Sequence, residues 1–383
     1  MRKVILAALI LSVTVSAQEK LDVGLQLDVV LRNPDVKDYT NLTFRGHSNF
    51  HTVRTRVIFN AYVNDYISIN AQLLSDNSSS PYVFSAYAHW SHPTLTYLNL
   101  NVGIIPIPVG LFGANTYSDK NPVIGVPLIY VHHTNINIYD PQITNSELLS
   151  QRGKGFNLGG YGGQGVSGIP FLYDACWNSG VNLFGSYGPL DYSLAALFGS
   201  LSRPLIQIED RIPQITAQVA VTPVAGIRAG LLGGWGPYLA LIAEEDFPLG
   251  KDVNDYKQIL GGVLSEISYG HFDSQGEFIV SAYEHPFLGY LKGNGFYTLL
   301  KYKILTGVYA AVRWEQMNFG KIEDETNPGS RHTWDYNVRR AEAAIGYYLD
   351  RNVLLKLDTQ INRFPGQSSL NDDIYALQLS LSL

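Results

Sequence analysis

The chain has 383 residues, of which 16% are charged, 46% are hydrophobic and 12% are aromatic. An average soluble protein has about 25% charged residues, so the chain is poor in charge, and its aliphatic and aromatic content excludes an intrinsically disordered protein. The single cysteine, Cys176, excludes a disulfide framework within the chain. The net charge of −6 provides no basic surface, which argues against a nucleic-acid-binding protein.

The N-terminal residues have the composition of a secretory signal. Arg2 and Lys3 precede an apolar run over residues 4–11, and small residues follow up to Ala17. We therefore predict that residues 1–17 are a signal peptide and that residues 18–383 form a single exported domain; the alternative is an uncleaved N-terminal anchor. No later stretch reaches about 18 consecutive apolar residues, so a membrane-embedded domain would have to be a closed β-barrel.

Apolar and polar residues alternate along most of the remaining sequence. In the first such segment, every odd position from Leu21 to Leu31 is apolar, and Asp22, Gln26 and Asp28 lie between them. Segments of about 10 to 12 residues with this period match tilted transmembrane strands. The sequence contains sixteen of them, at about 21–31, 48–63, 66–76, 82–91, 95–105, 177–187, 190–200, 212–222, 226–236, 257–270, 275–285, 294–304, 307–318, 336–349, 352–363 and 372–383.

Short and long connections alternate between these segments. Some connections are tight turns, such as Asn64-Asp65 and Gly188-Pro189. Between them lie longer polar loops at about 32–47, 237–256, 319–335 and 364–371. Short turns on one side and long loops on the other are typical of outer-membrane barrels, with both termini on the short-turn, periplasmic side. The sequence therefore predicts an all-β fold, a transmembrane antiparallel β-barrel of about 16 strands with one long inserted loop.

That inserted loop spans residues 106–176, after the fifth predicted strand, and is rich in proline and glycine. Connections of this length inside a compact fold are usually functional or disordered. Because a wide barrel has room for such a loop, we predict that it folds inward and narrows the lumen. The alternative is an external lid or surface loop.

Several short stretches occur in an order that resembles the sixteen-stranded porins of Gram-negative outer membranes, and most of all the family of phosphate-selective porins O and P. The resemblance covers nearly the whole exported domain and implies a trimeric diffusion channel whose third extracellular loop folds into the pore. One departure is the final residue, Leu383, where these barrels usually end in phenylalanine. The stretches are Val53-Arg54-Thr55-Arg56-Val57, residues 102–110, residues 180–185, residues 221–226, Arg313-Trp314-Glu315 and residues 344–349.

The selectivity of such a channel depends on the charges that line its lumen. On the face opposite the apolar stripe, eight basic candidates stand against eight acidic ones, so their sum has no net sign. Removing Arg2 and Lys3 leaves 25 basic and 33 acidic residues, a balance that argues against phosphate as the solute. Arg54 and Arg56 could form a basic strip at i, i+2, or form salt bridges with Asp22 and Asp28. The predicted pore-lining residues are Arg54, Arg56, Asp22, Asp28, Arg228, Lys301, Lys303, Arg313, Glu315 and Lys356.

Within the inserted loop, six ionisable residues are predicted to lie near the constriction: Asp119, Lys120, His132, His133, Arg152 and Lys154. His132 and His133 are adjacent, and adjacent side chains of an extended chain point to opposite faces, so we predict a polar pair rather than a metal site. The sequence predicts no metal, no cofactor and no catalytic residues.

The predicted function is an outer-membrane porin for passive diffusion of ions and small hydrophilic solutes. Its expected partners are outer-membrane lipid, those solutes and two further copies of the chain in a homotrimer. The first alternative is an outer-membrane barrel with an occluded lumen and a structural or surface-interaction role. A barrel-embedded hydrolase would need a serine, a histidine and a polar orienting group on a lipid-facing strand, which the pattern does not provide. A secreted soluble β-protein is the last alternative.

Overall fold

The computed structural model describes residues 21–34, 40–43, 48–50, 52–77, 80–155, 168–174, 177–207, 209 and 211–383. The predicted signal peptide and Cys176 lie outside the described residues. Among the described helices, none is long and apolar enough to cross a membrane.

The described residues form mainly β-strands. In chain order these are β1 (Leu21–Arg32), β2 (Val53–Tyr62), β3 (Ile67–Asp76), β4 (Tyr82–Ser91), β5 (Asn99–Ile105), β6 (Asn178–Tyr187), β7 (Leu190–Leu197), β8 (Gln214–Val224), β9 (Ile227–Pro237), β10 (Lys257–Tyr269), β11 (Phe272–His285), β12 (Gly289–Leu305), β13 (Val308–Phe319), β14 (Lys321–Glu323), β15 (Arg331–Thr333), β16 (Val338–Asp350), β17 (Val353–Arg363) and β18 (Asp372–Ser382).

Sixteen of these strands close into one antiparallel barrel, which confirms the predicted fold class. Each strand pairs with its neighbours in the sequence, except that β13 pairs with β16, and β14 and β15 form a separate hairpin between them. The barrel closes where β1 pairs with β18, with Leu27 opposite Leu381. Seven short turns and both ends of the described chain lie at one end of the barrel, the short-turn end, and the long connections lie at the other, the long-loop end.

The strand boundaries differ most from the prediction in three places. The segment predicted at 48–63 becomes a strand only at Val53, because Phe50 is fully buried in a cluster with Val30 and Ile124 rather than paired in the sheet. The segment predicted at 95–105 begins at Asn99. The segment predicted at 294–304 begins at Gly289, because β12 remains paired with β11 up to His285 opposite Gly289, and the segment predicted at 275–285 begins at Phe272, where β11 pairs with β10.

The two faces of the sheet differ in polarity as period-two alternation requires. Outward side chains are apolar and exposed, for example Val23 at 57%, Leu231 at 65% and Leu357 at 60%. Inward side chains of the same strands are polar and buried, for example Gln26 at 4% and Asp28 at 3%. An apolar band around a closed barrel is the surface that a lipid bilayer covers.

The described part of the insertion, residues 106–155 and 168–174, lies inside the barrel and is called the plug below. It contains two short helices, α1 (Leu128–Val131) and α2 (Asn145–Ser150). All four side chains of α1 are buried and belong to one apolar cluster with inward residues of the wall, among them Ile279, Leu291 and Met317. The largest apolar core of the molecule therefore lies inside the barrel, between the plug and the wall.

Candidate functional site: the occluded lumen

The inward wall is buried in the half of the barrel nearer the long-loop end. Each of the sixteen barrel strands contributes at least one inward residue that is buried. The sequence predicted that the insertion folds inward and narrows the lumen; in the structure, the plug and the described loops bury a ring of inward positions. The ring consists of Val30, Arg54, Asp76, Phe84, Ile105, Asn178, Leu197, Gln214, Gly236, Gln258, Tyr283, Leu291, Met317, Arg340, Gln360 and Ile374.

Carboxylates on one side of the wall hold the plug by its backbone. Period two places them on the inward face of β11, β13, β16 and β17, where each is almost fully buried. A buried carboxylate requires donors in place of water, and backbone N–H groups of the plug provide them. Glu277 accepts from Leu111 at 3.0 Å, Glu315 from Leu128, Glu342 from Gly125 at 2.7 Å and Asp358 from Ile124 at 3.0 Å.

Cations on the same wall bind carbonyl oxygens of the plug. The Lys356 Nζ, which is fully buried, donates to the carbonyls of Ser118, Asn121 and Val123 at 2.5, 2.7 and 3.2 Å. The guanidinium groups of Arg313 and Arg340 do the same, Arg313 with the Gly125 carbonyl at 3.0 Å and Arg340 with the Val126 carbonyl at 2.7 Å.

These wall charges also pair with one another. Arg313 Nε lies 2.7 Å from Glu315 Oε1, and Arg313 also donates to Glu342. Arg340 Nη1 lies 3.7 Å from Glu315 Oε1, and its Nε donates to Asn362 at 2.8 Å. Buried charges persist when they are paired and fully hydrogen-bonded. The predicted luminal residues Arg313, Glu315 and Lys356 thus belong to an ionic socket for the plug, which they form together with Arg340, Glu277, Glu342 and Asp358.

The same wall continues across β18 to β1 and β2, where it contacts residues 117–119 of the plug. Asp28 accepts a hydrogen bond from the Ser118 hydroxyl, and Gln26 donates to Asp119 at 3.1 Å. The Arg56 guanidinium lies between two rings, 5.0 Å from the centroid of Phe84 and 4.4 Å from that of Tyr117. The contacts of the plug therefore extend around the wall from β11, through β17 and β18, to β2.

Arg54 forms a salt bridge, but with a different carboxylate from the two that the sequence suggested. Its Nε lies 2.6 Å from Asp76 Oδ1, whereas Asp22 and Asp28 were the expected partners. Both Asp28 and Asp76 stand directly opposite Arg54 in the sheet, but Asp28 is engaged by Ser118 of the plug. Asp22 lies at the exposed short-turn end of β1.

The structure separates the six residues predicted near the constriction into two groups. Asp119 and Lys120 lie toward the short-turn end and form an ion pair at 3.2 Å, with the lysine mostly exposed. His132, His133, Arg152 and Lys154 lie toward the long-loop end. Arg152 packs on the ring of Tyr336 at 4.8 Å, and Lys154 donates to the Ser150 carbonyl at 2.9 Å.

The two histidines lie where the plug meets the β13–β16 connection. The Asp335 carboxylate accepts from the backbone N–H groups of Asn135 at 3.2 Å and Gly153 at 2.9 Å, and lies 3.7 Å from His132 Nε2. The His133 ring lies 2.6 Å from the Gly168 carbonyl, and burial lowers the pKa of His133 to about 4. Sequence reasoning did not find Asp335, because nothing local distinguishes it from other loop carboxylates.

The half of the lumen nearer the short-turn end remains open and polar. Arg228 bridges Asp191 at 3.1 Å and Glu266 at 2.6 Å, and Lys303 lies 3.9 Å from Asp273. Lys301 Nζ lies over the ring of Tyr309 at 4.9 Å. Arg228, Lys301 and Lys303 are thus close to this opening rather than to the plug's ionic socket.

A cavity of about 360 Å³ opens beside Arg228, against β6, β7 and β8. Asn182, Phe184, Ser193 and Gln218 lie on its wall. The sequence analysis considered only the charged inward positions of these strands; the same period-two rule, applied to amides, would have found Asn182 and Gln218.

No protein-family model and no curated protein sequence matches the chain. Solved porin structures match it along nearly its whole length. OmpF of Salmonella typhi, in complex with daunomycin, is 12% identical with a TM-score of 0.57 over 95% of this chain and 97% of that one. The trimer form of OmpT, an outer-membrane protein of Vibrio cholerae, is 12% identical with a TM-score of 0.55 over 95% and 99% of the two chains. An anion-selective porin from Comamonas acidovorans is 9% identical with a TM-score of 0.54 over 94% and 98%.

At these identities the similarity concerns the fold alone. It confirms the resemblance to porins at the level of the barrel and does not extend to the phosphate-selective family that the sequence motifs indicated. The chain has the fold of a sixteen-stranded porin-type β-barrel with an inserted segment packed inside its lumen.

Proposed function

We propose that the chain is an outer-membrane barrel that admits ions or small hydrophilic solutes, and that the plug closes it in the conformation described here. The proposal includes export by the signal peptide 1–17, insertion in the outer membrane, assembly as a homotrimer and a non-enzymatic role. Support comes from the apolar outer surface, the porin-type fold and the polar open half of the lumen. Phosphate selectivity is not proposed, since acidic residues outnumber basic ones.

The observation that carries the proposal is the contrast between the two halves of the lumen. At the long-loop end, every strand has a buried inward residue, whereas at the short-turn end a polar cavity remains open. A lumen built only to be filled has no need of a polar open half, and a permanently open pore would not bury the whole ring. A channel with a closed state accounts for both halves.

The ionic socket allows the plug to leave. Apart from Glu277, which also accepts from the Tyr130 hydroxyl, its carboxylates and cations bind backbone groups of the plug, and water can replace such partners at both surfaces once they separate. Arg313, Arg340 and Lys356 offset three of the four carboxylates, so the exposed wall would be charged and well hydrated. The charged wall is therefore suited to a water-filled lumen after release.

The second candidate is a permanently occluded barrel with a structural or surface-interaction role. It is favoured by the apolar core between α1 and the wall, where Leu128, Ile129 and Val131 are fully buried against residues such as Ile279 and Met317. Releasing the plug would expose this apolar surface to water at a free-energy cost. The two candidates differ in whether the closed state ever opens.

Conductance of refolded residues 18–383 in a planar bilayer, across a roughly tenfold KCl gradient, separates the two candidates. The proposal predicts a mostly closed barrel with discrete openings, and the sign of the reversal potential gives the ion preference. A continuously open trace would contradict closure by the plug. A silent trace from properly folded protein would favour the permanently occluded barrel.

A further inference from the structure

The cavity at the short-turn end has the size and position of a solute site. Its volume of about 360 Å³ falls in the range of small-molecule binding sites, which are about 300–1,000 Å³. Ile107 and Pro108, at the start of the plug, line one side of it, and inward residues of β6, β7 and β8 line the other. A solute that enters the open half of the lumen therefore reaches this cavity before it meets the buried ring.

Two side-chain amides in the cavity wall have their oxygen atoms already engaged. Asn182 Oδ1 accepts from the Ser193 hydroxyl at 2.8 Å, and Gln218 Oε1 accepts from the backbone N–H of Gly110 at 2.6 Å. Within the described residues, neither amide nitrogen donates to a protein acceptor. Each NH₂ group therefore remains to donate to an oxygen atom of a ligand.

The charges at the cavity compensate one another. Arg228 is the cation on the wall, and it is bound by Asp191 and Glu266 together. Their sum is one negative charge, which disfavours an anionic ligand. Both carboxylates are engaged by the guanidinium, so they are poor partners for a cationic ligand. The electrostatics favour a neutral solute rich in oxygen.

Phe184 adds an apolar surface beside the amides. Its ring is half-buried in the cavity wall, with the His89 ring 5.9 Å away on the other side of the β5 strand. Neutral rings that carry hydroxyl groups on their edge and C–H groups on their faces match an aromatic face flanked by amide donors. We propose that this cavity binds a neutral sugar, about one ring in size, through Asn182, Gln218 and Phe184.

The inference rests on the proposed function in that the sugar is a solute admitted to the lumen, yet binding is measurable whether or not the barrel conducts. The probes are D-glucose and maltose, added to detergent-solubilised residues 18–383, with saturation-transfer NMR and calorimetry as readouts. Sodium gluconate and choline serve as an anionic and a cationic comparison. We expect binding of the sugars and much weaker binding of both ions.

Asn182→Leu removes one amide donor, and Phe184→Leu removes the aromatic face without breaking a side-chain hydrogen bond. Each is expected to weaken sugar binding about tenfold. Asn70→Leu, on the inward face of β3 and away from the cavity, is the matched control and should bind as the wild type does. The heat-dependent shift of a folded barrel on gels verifies that each variant is folded.

Absence of sugar binding to the wild type overturns the inference, and so does equal binding by the Phe184→Leu variant or stronger binding of gluconate than of glucose. Sugar binding without conductance would contradict the proposed channel function and support the sugar site. Conductance without sugar binding would support the channel function and contradict the sugar site.

Discussion

Lys356 is the single side chain through which the wall holds the most plug backbone, so its removal should open the lumen. Lys356→Met keeps the length of the side chain and removes the three donors to Ser118, Asn121 and Val123. A hydrogen bond to a charged group contributes about 1.5–3 kcal/mol, and the three share one ammonium group, so their sum is smaller than three separate bonds. Removing one partner of a buried charged network costs about 3–5 kcal/mol.

We take about 3 kcal/mol as the loss in docking free energy of the plug, which corresponds to an increase of about 150-fold in the ratio of open to closed barrels. Single-channel recording measures that ratio directly. Lys303→Met, at the exposed short-turn end, removes a lysine that does not touch the plug and should leave the ratio unchanged. If Lys356→Met is folded and opens no more often than the wild type, the ionic socket does not hold the plug closed.

Three further predictions concern the same plug. Burial lowers the pKa of His133 to about 4, so the docked plug requires the neutral ring. The released plug takes up a proton first as the pH falls below about 6.5. Docking should therefore weaken by about 3 kcal/mol by about pH 4 and recover above about pH 6.5. Opening measured across this pH range should rise on acidification and stay flat in His133→Asn. Asp335→Asn removes an acceptor for the backbone of residue 135 and should increase protease cleavage within residues 132–153, reflecting a loss of about 1–3 kcal/mol. Gly125→Ala would place a methyl group 2.6 Å from a Glu342 oxygen, so it should raise the open probability through about 1–3 kcal/mol of overpacking, and an unchanged trace would show that the wall yields there.

The barrel itself could be predicted because its signal is periodic. The alternation from Leu21 to Leu31 specifies which side chains face outward, and the structure buries Gln26 and Asp28 while exposing Val23. The same rule places all sixteen strands within a few residues of their observed bounds. Period and strand length carry this information because every strand has the same two environments.

The start of β12 shows where periodicity fails. Gly293 and Gly295 face inward, where a Cβ atom would come within 2.6 Å of Phe171 and Ile129 of the plug. Glycine lowers strand propensity, and the predicted strand begins only at residue 294, whereas the close approach of the plug explains both glycines within β12. That approach is a long-range contact, which no local pattern encodes.

The wall residues of the candidate site could be predicted from the sequence, but their partners in the plug could not. Period two found Arg313, Glu315 and Lys356 as inward charges, but their partners in the plug lie about 190 to 240 residues away in the sequence. Aperiodic loops give no register from which such pairs could be read. Arg54 illustrates the limit, since both neighbouring strands offer it a carboxylate and only the plug decides between them.

The most direct test of closure by the plug is a reversible cross-link between the plug and the wall. The hydroxyl oxygens of Ser118, in the plug, and Ser380, on β18, are 2.7 Å apart, so Ser118→Cys with Ser380→Cys is placed to form a disulfide. The matched control joins two wall strands on the outer face, Asn294→Cys with Asn318→Cys, whose amides are 3.1 Å apart. In single-channel recordings, the plug cross-link should abolish openings when oxidised and restore them on reduction, while the control should open in both states. Openings that persist with the plug cross-link fully oxidised would contradict the conclusion that the plug closes this barrel.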